Sequence, residues 1–285
     1  MTDTPPVLAV HGIGNLQAGC TPQDAAGLLA RQWQPRLAAG WTAAGLARQP
    51  VPRLAAAYYA HRLAEPQAQG PGDDDRPESL TPDQARVAAA LLTAAGVPVP
   101  AQAQGPVTMP LRQSLDWLAA RRGVAARTLG RVVVAFAREV YVYLSHPGRR
   151  QRARECVAEA LREHRPRVVL AHSLGSVVTY ETLHAHPELA PELLVTLGSP
   201  LGLPGAVFEA LDPEPLAGRG ARPPRVARWV NLADPGDLIA LPSRLGDRFP
   251  VDRHAEAYLG RLDFHTLGGY LGSGMTAAAM AAYTG

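Results

Sequence analysis

The feature that most constrains the fold is the stretch VVLAHSLGS at residues 168–176. Its first residues form a short apolar run that predicts a buried strand, and apolar residues at helical spacing follow at once. Between the two lies a sharp turn of small residues with Ser173 at its apex. A strand, a tight turn and a helix in immediate succession predict an α/β protein.

The same turn predicts chemistry. A serine hydroxyl is a weak nucleophile unless a base lies beside it and backbone N–H groups face the oxyanion that forms. A strand-to-helix turn holds the Ser173 hydroxyl out of the sheet and leaves the N–H of Leu174 available as one such donor. The stretch follows the G-x-S-x-G pattern, with Ala171 as the smallest replacement for the first glycine. We therefore predict that Ser173 is a nucleophile.

A second candidate segment lies near the amino terminus. The apolar run at residues 7–10 predicts a buried strand, and a glycine-rich turn from His11 to Asn15 follows it. Glycines at the carboxyl end of a strand allow a backbone N–H to point into a site. An ordinary strand-to-helix loop explains this segment equally well when it is taken alone.

Further apolar runs predict strands at residues 53–60, 193–197 and 226–232, with helical patterns between them. This alternation predicts a mostly parallel central sheet with helices on both faces. The 285 residues fit one α/β domain spanning 1–285. Two helical patterns between Pro-, Gly- and Gln-rich stretches, within residues 61–130, predict an inserted cap or lid; a simple surface insertion is the alternative.

Composition excludes several classes of function. The 28 basic and 25 acidic residues nearly balance and are scattered, which argues against a nucleic-acid partner. We find no apolar run long enough for a membrane span and no signal peptide, so we expect a cytoplasmic protein without an integral membrane segment. Neither cysteine belongs to a metal-binding motif, so we predict no metal and no cofactor.

Two acids and a histidine complete the candidate site. Asp234 and Asp237 follow the strand predicted at 226–232, and His265 precedes the last predicted helical segment. The carboxyl ends of parallel strands meet at one edge of the sheet, so we expect these side chains near Ser173. Asp263 is a weaker third acid, because a carboxylate only two residues from His265 is badly placed to reach its ring.

The motifs Val10-His11-Gly12-Ile13-Gly14 and Ala171-His172-Ser173-Leu174-Gly175, with the chain order Ser, Asp, His, resemble the α/β-hydrolase superfamily. Within it, the chain is similar to lipases and esterases. The resemblance implies an α/β-hydrolase fold and favours Asp237, which an apolar pair follows, over Asp234 as the triad acid. It also implies that the backbone N–H of Ile13 is the second oxyanion donor. We expect substrate contacts from His11, Gly12, His172 and Ser199.

The function that the resemblance implies is a serine hydrolase, with Ser173, Asp237 and His265 as the catalytic residues. It would cleave a small-molecule carboxylic ester or thioester, free or carrier-bound, through an acyl-enzyme on Ser173. An acyltransferase or cyclase that uses the same acyl-enzyme is one alternative. A catalytically silent hydrolase fold that binds a partner is the other.

Overall fold

The central sheet has six strands, all parallel, in the order β2-β1-β3-β4-β5-β6. The structure, a computed structural model, describes residues 6–64, 76–97, 108–123, 125–260 and 265–284. The strands are β1 (Val7–Val10), β2 (Leu54–Ala57), β3 (Val168–His172), β4 (Leu193–Leu197), β5 (Arg228–Ala233) and β6 (Arg253–Glu256). The predicted parallel α/β arrangement is confirmed.

Helices cover both faces of this sheet. They are α1 (Pro22–Ala43), α2 (Ala60–Leu63), α3 (Pro82–Ala94), α4 (Thr108–Arg122), α5 (Ala126–Ser145), α6 (Pro147–His164), α7 (Leu174–Ala185), α8 (Leu267–Gly272) and α9 (Met275–Met280). Helices α1, α8 and α9 share a core with one face of the sheet, and α5, α6 and α7 share a core with the other. None of the described helices combines the length and the apolar character that crossing a membrane requires.

Burial on both faces explains why the central strands read as continuous apolar runs. In β1, Val7 and Ala9 face the core with α1, whereas Leu8 and Val10 face the core with α5 and α6. Strands β3 and β4 are likewise buried at every position. A strand that is buried on both sides has no polar face and therefore no alternation in its sequence.

The described part of the predicted cap packs onto α5. Helices α3 and α4 contribute buried leucines to the same core as one face of the sheet: Leu91, Leu92, Leu111, Leu115 and Leu118. The described insertion thus shares its core with the main sheet. Its movement as a lid stays a prediction, and the Pro- and Gly-rich stretches lie mostly outside the described residues.

One strand was not expected. Strand β6 is short and polar, and its side chains are exposed or half-buried. It lies at the edge of the sheet, parallel to β5. The side-chain Nδ2 of Asn231, on β5, donates to His254 Nδ1 at 3.0 Å. Backbone pairing and this polar contact form the strand without an apolar run, so sequence periodicity could not reveal it.

Strand order sets the position of the site. Strand β1 lies between β2 and β3. The strand that follows β1 in the chain is added on one side of it, and β3 to β6 are added in turn on the other side. Ligands of open parallel sheets bind at such a reversal, beyond the carboxyl ends of the strands. His11 follows β1 and Ser173 follows β3, so the two predicted motifs meet there.

A buried ion-pair network fixes α7 in place. The fully buried Glu181 carboxylate accepts hydrogen bonds from the Tyr143 hydroxyl at 2.6 Å, Arg150 Nε at 2.8 Å and the Asp212 amide at 3.2 Å. These partners come from α5, α6 and the segment before β5. Every buried polar group here has a partner, which is the condition for tolerating a charge in a core.

We expect Glu181→Ala to lower the free energy of unfolding by about 3–5 kcal/mol, because it leaves the partly buried Arg150 without its carboxylate. Urea denaturation measures this loss. Arg86→Ala is the control, since it removes an exposed pair with Asp83 within α3, and we expect a change below about 1 kcal/mol. Equal losses in the two variants would contradict the role assigned to Glu181.

Candidate active site

The predicted strand–turn–helix is built around an unusual backbone conformation. Ser173 has φ +51° and ψ −131°, between the end of β3 and the first residue of α7. A positive φ in a residue with a side chain costs about 1–3 kcal/mol and persists only where neighbouring bonds enforce it. The Ser173 amide donates to the Leu197 carbonyl at 3.0 Å, which helps to fix this turn against β4.

Two glycines allow this turn to touch the segment after β1. A Cβ on Gly175 would lie 2.2 Å from the His11 carbonyl oxygen, and a Cβ on Gly12 would lie 2.5 Å from the Ser173 Cβ. Neither site has space for a methyl group. Gly12 and Gly175 are therefore required by direct contact between the two turns.

Three side chains form one hydrogen-bonded chain. The Ser173 hydroxyl lies 2.9 Å from His265 Nε2, and His265 Nδ1 donates to the Asp237 carboxylate at 2.9 Å. Ser173 is fully buried, Asp237 is 2% exposed and His265 is 8% exposed. With its proton on Nδ1, the imidazole presents a lone pair to the hydroxyl, which is the geometry that proton removal requires.

The two candidate acids have different surroundings. The Asp237 carboxylate contacts His265 and also accepts from the Ile239 amide at 2.9 Å. Asp234 instead accepts from the amides of Gly236 at 2.6 Å and Leu259 at 2.8 Å, so it shapes the turn. The structure thus brings Asp237 to the imidazole. The third candidate, Asp263, lies outside the described residues.

Tyr270 was missed by the sequence analysis. Its hydroxyl donates to the Asp237 carboxylate at 2.8 Å and accepts from the Asp234 amide at 3.0 Å. Burial, and next the negative charge of Asp237, raise the pKa of this hydroxyl well above its usual value. A tyrosine five residues after His265, in the predicted last helical segment, was the available signal.

The two predicted oxyanion donors have no acceptor among the described residues. The amide of Leu174 opens α7, where first-turn N–H groups lack helical partners. At Ile13 the surrounding loop is fixed by side chains. The Gly12 carbonyl accepts from His11 Nδ1 at 2.8 Å and from Asn15 Nδ2 at 3.1 Å, and the Ile13 carbonyl accepts from the same Asn15 amide at 2.9 Å.

His11 lies behind this loop. Its Nε2 accepts from the Tyr59 amide at 3.1 Å, its ring stacks on Tyr59 at 4.1 Å between centroids, and its side chain is fully buried. Burial lowers the pKa of His11 to about 4, so the ring is neutral at pH 7. The structure gives His11 and Tyr59 supporting positions, and direct substrate contact by His11 stays a prediction.

His172 has no hydrogen-bond partner for either ring nitrogen among the described residues. It is 3% exposed, and its ring centroid lies 4.9 Å from that of His265. Burial lowers its pKa well below the usual value, and the neighbouring His265 and His11 add to this effect. A neutral imidazole with free polar atoms beside Ser173 is consistent with the predicted substrate contact.

Ser199 is bonded within the protein. Its hydroxyl lies 2.6 Å from the Ser176 hydroxyl and accepts from the Leu201 amide at 3.3 Å. Ser176 Oγ also lies 2.6 Å from the Ser173 carbonyl oxygen. Ser199 therefore ties the turn after β4 to the start of α7, and its contact with a substrate stays a prediction.

The insertion contacts the site through Arg122. Arg122, the last residue of α4, donates to the Gly236 carbonyl in the turn between Asp234 and Asp237. Burial lowers the pKa of this guanidinium, and the charges of the two aspartates oppose that effect. Helix α4 is thus in contact with the turn that carries the acid.

Within the described ranges, no three His, Cys, Asp or Glu side chains are grouped so that they could hold a metal ion. Comparisons with protein-family models, curated proteins and solved structures found no match to this chain. The geometry of the site itself is therefore the basis for inferring a function.

We expect Gly12→Ala to slow labelling of Ser173 by a fluorophosphonate probe by about 100-fold or more, because displacement of a reacting atom by about 1 Å has that effect. Mass spectrometry follows the labelling rate. Gly130→Ala is the matched control: a Cβ at this position, near the start of α5, would meet nothing within 4 Å, and labelling should be unchanged. Labelling of Gly12→Ala at the wild-type rate would contradict the close contact.

A second pair of variants separates the two acids. We expect Asp237→Asn to lower kcat for ester cleavage by about 10³- to 10⁴-fold, because an amide no longer holds the imidazole in the required tautomer. Asp234→Asn should lower it less than about tenfold, since Asp234 bonds only backbone amides. Steady-state kinetics measure both, and the reverse order would refute the assignment of Asp237.

Proposed function

We propose that this chain is a serine hydrolase with an α/β-hydrolase fold, which cleaves a carboxylic ester or thioester through an acyl-enzyme on Ser173. The observation that carries the proposal is the continuous hydrogen-bonded chain from Ser173 through His265 to Asp237. The parallel sheet, the chain order Ser, Asp, His and the positive φ at the serine agree with it.

The geometry gives each group a step. As Ser173 Oγ attacks the substrate carbonyl carbon, its proton passes to His265 Nε2. The imidazolium then protonates the departing alcohol or thiol as the bond to it breaks, which leaves the acyl group on Ser173. A water molecule then attacks the acyl carbon while His265 takes its proton, and His265 returns a proton to Ser173 Oγ as the acyl–oxygen bond breaks and the carboxylic acid leaves. Asp237 orients the ring and stabilises its charge throughout.

The negative charge on the carbonyl oxygen needs donors that are present before the reaction. The amides of Ile13 and Leu174 are assigned this role, because both lack a partner among the described residues and lie in the two turns that touch at Ser173. Removal of one such donor lowers kcat by about 10²- to 10³-fold. The fixed carbonyls of Gly12 and Ile13 hold the first donor in place.

One observation favours acyl transfer as a second candidate. Ser173 is fully buried and His265 nearly so, and a site that excludes water favours capture of the acyl group by an alcohol or amine. The acyl-enzyme is the same in both reactions. Product analysis with an acceptor present distinguishes them. A silent binding protein is disfavoured because the nucleophile, base and acid are all retained.

We expect a fluorophosphonate probe to label the wild-type protein at Ser173 and Ser173→Ala to lose both labelling and turnover. Ser145→Ala removes an exposed serine at the end of α5 and should behave as wild type. Nitrophenyl esters and acyl thioesters of graded chain length serve as substrates. A folded wild-type protein that neither reacts with the probe nor turns over any of these substrates would refute the proposal.

A further inference from the structure

A carboxylate that the mechanism above does not use lies at the oxyanion loop. Glu139, on α5, accepts a hydrogen bond from the Gly14 amide at 2.6 Å. Gly14 has φ +71° and directly follows Ile13, whose own amide is the assigned oxyanion donor. The two bonded residues are separated by 125 positions in the chain, so this contact is a product of the tertiary fold.

This contact fixes a peptide group that otherwise has little to hold it. The peptide between Ile13 and Gly14 is bonded at both ends, because its carbonyl accepts from Asn15 Nδ2 and its N–H donates to Glu139. Gly14 has no side chain, and a Cβ at that position would meet nothing within 4 Å, so no side-chain packing at Gly14 holds this peptide. Without the carboxylate, one end of this peptide loses its anchor.

The Ile13 N–H belongs to the peptide between Gly12 and Ile13, and rotation of the next peptide would shift it through Ile13. The Gly12–Ile13 peptide is held through the Gly12 carbonyl by His11 and Asn15. The following one is held by Asn15 and Glu139. A backbone amide can stabilise an oxyanion only when it is oriented toward that oxygen before the reaction. A rotated peptide beside Ile13 would therefore weaken the donor without disturbing Ser173 or His265.

We propose that Glu139 is a positioning residue for the oxyanion hole: its carboxylate holds the Gly14 amide and thereby fixes the direction of the Ile13 N–H. The inference rests on the proposed hydrolase function. Glu139 is half-buried, and burial raises its pKa to about 7 against the opposing effect of the Gly14 hydrogen bond. Tyr59, which supports the same loop from just after β2, has its pKa raised well above its usual value by burial and next by the charge of Glu139.

Two substitutions of Glu139 distinguish the effect of the hydrogen-bond acceptor from the effect of the negative charge. Glutamine keeps an oxygen that can accept from the Gly14 amide, whereas alanine removes the acceptor. We therefore expect Glu139→Ala to lower kcat by about 10- to 100-fold, where the upper figure corresponds to complete loss of one oxyanion donor. Glu139→Gln should retain most of the activity. KM should change by less than about threefold in both variants, because the effect falls on the transition state.

A boronic acid that adds to the Ser173 oxygen tests the oxyanion hole directly, since its tetrahedral adduct places an oxygen where the oxyanion forms. In Glu139→Ala, the inhibition constant of the boronic acid should rise by the same factor by which kcat falls. In Glu139→Gln, it should stay near the wild-type value. Arg138→Ala is the control, because this neighbour on α5 donates to the Ser79 carbonyl and hydroxyl. Should Glu139→Ala fail to fold, Glu139→Met keeps the side-chain volume without the carboxylate.

Hydrogen–deuterium exchange of the peptide spanning residues 11–20 tests the contact without any substrate. Exchange should be faster in Glu139→Ala and close to wild type in Glu139→Gln. Wild-type kcat and boronate affinity in Glu139→Ala, or equal losses in the alanine and glutamine variants, would overturn the inference. A wild-type protein that fails to react with a fluorophosphonate overturns the hydrolase proposal instead, while the exchange result still reports on the Glu139 contact.

Discussion

The site depends on the direct approach of two backbone turns. The turn after β1 and the turn after β3 touch where Gly12 faces Ser173 and where Gly175 faces the His11 carbonyl. Parallel pairing of β1 with β3 places the carboxyl ends of the two strands side by side at one edge of the sheet. Gly12 and Gly175 have no side chains that would hold the two turns apart. The positive φ at Ser173 lies at this contact, as do the amides of Ile13 and Leu174, which have no partner among the described residues. Sheet order, motif composition and local backbone strain thus meet at one contact.

A chain of buried polar groups extends from this contact into the protein. Asp237 accepts from His265, Tyr270 and the Ile239 amide, so its carboxylate is well satisfied although it is nearly inaccessible to solvent. His172 is the exception, because its ring has no partner among the described residues. An unsatisfied buried polar group costs about 1–3 kcal/mol. Exceptions of this kind in a satisfied network are typical of positions where function sets the residue.

Much of the fold and the core of the site could be predicted from the sequence. The buried strands and the strand–turn–helix at Ser173 have strong apolar patterns, and the convergence of Ser173, Asp237 and His265 follows from the rule that parallel strands end at one edge. Strand β6 could not be predicted, because a polar edge strand forms through backbone pairing. The hydrogen bonds by which Tyr270 supports Asp237 and Asn15 supports the loop at Ile13 could not be predicted either, for another reason. Single polar side chains show no periodicity, and their partners are known only once the tertiary fold is known.

The polar character of β6 has a consequence for the behaviour of the protein in solution. A sheet edge carries unpaired backbone groups and can recruit a strand from another molecule, which leads to aggregation. Strand β6 is only four residues long, and it begins with an exposed arginine and ends with an exposed glutamate. Joining another strand to this edge would require these charged groups to lose water. These features of β6 disfavour association of folded molecules along this edge of the sheet.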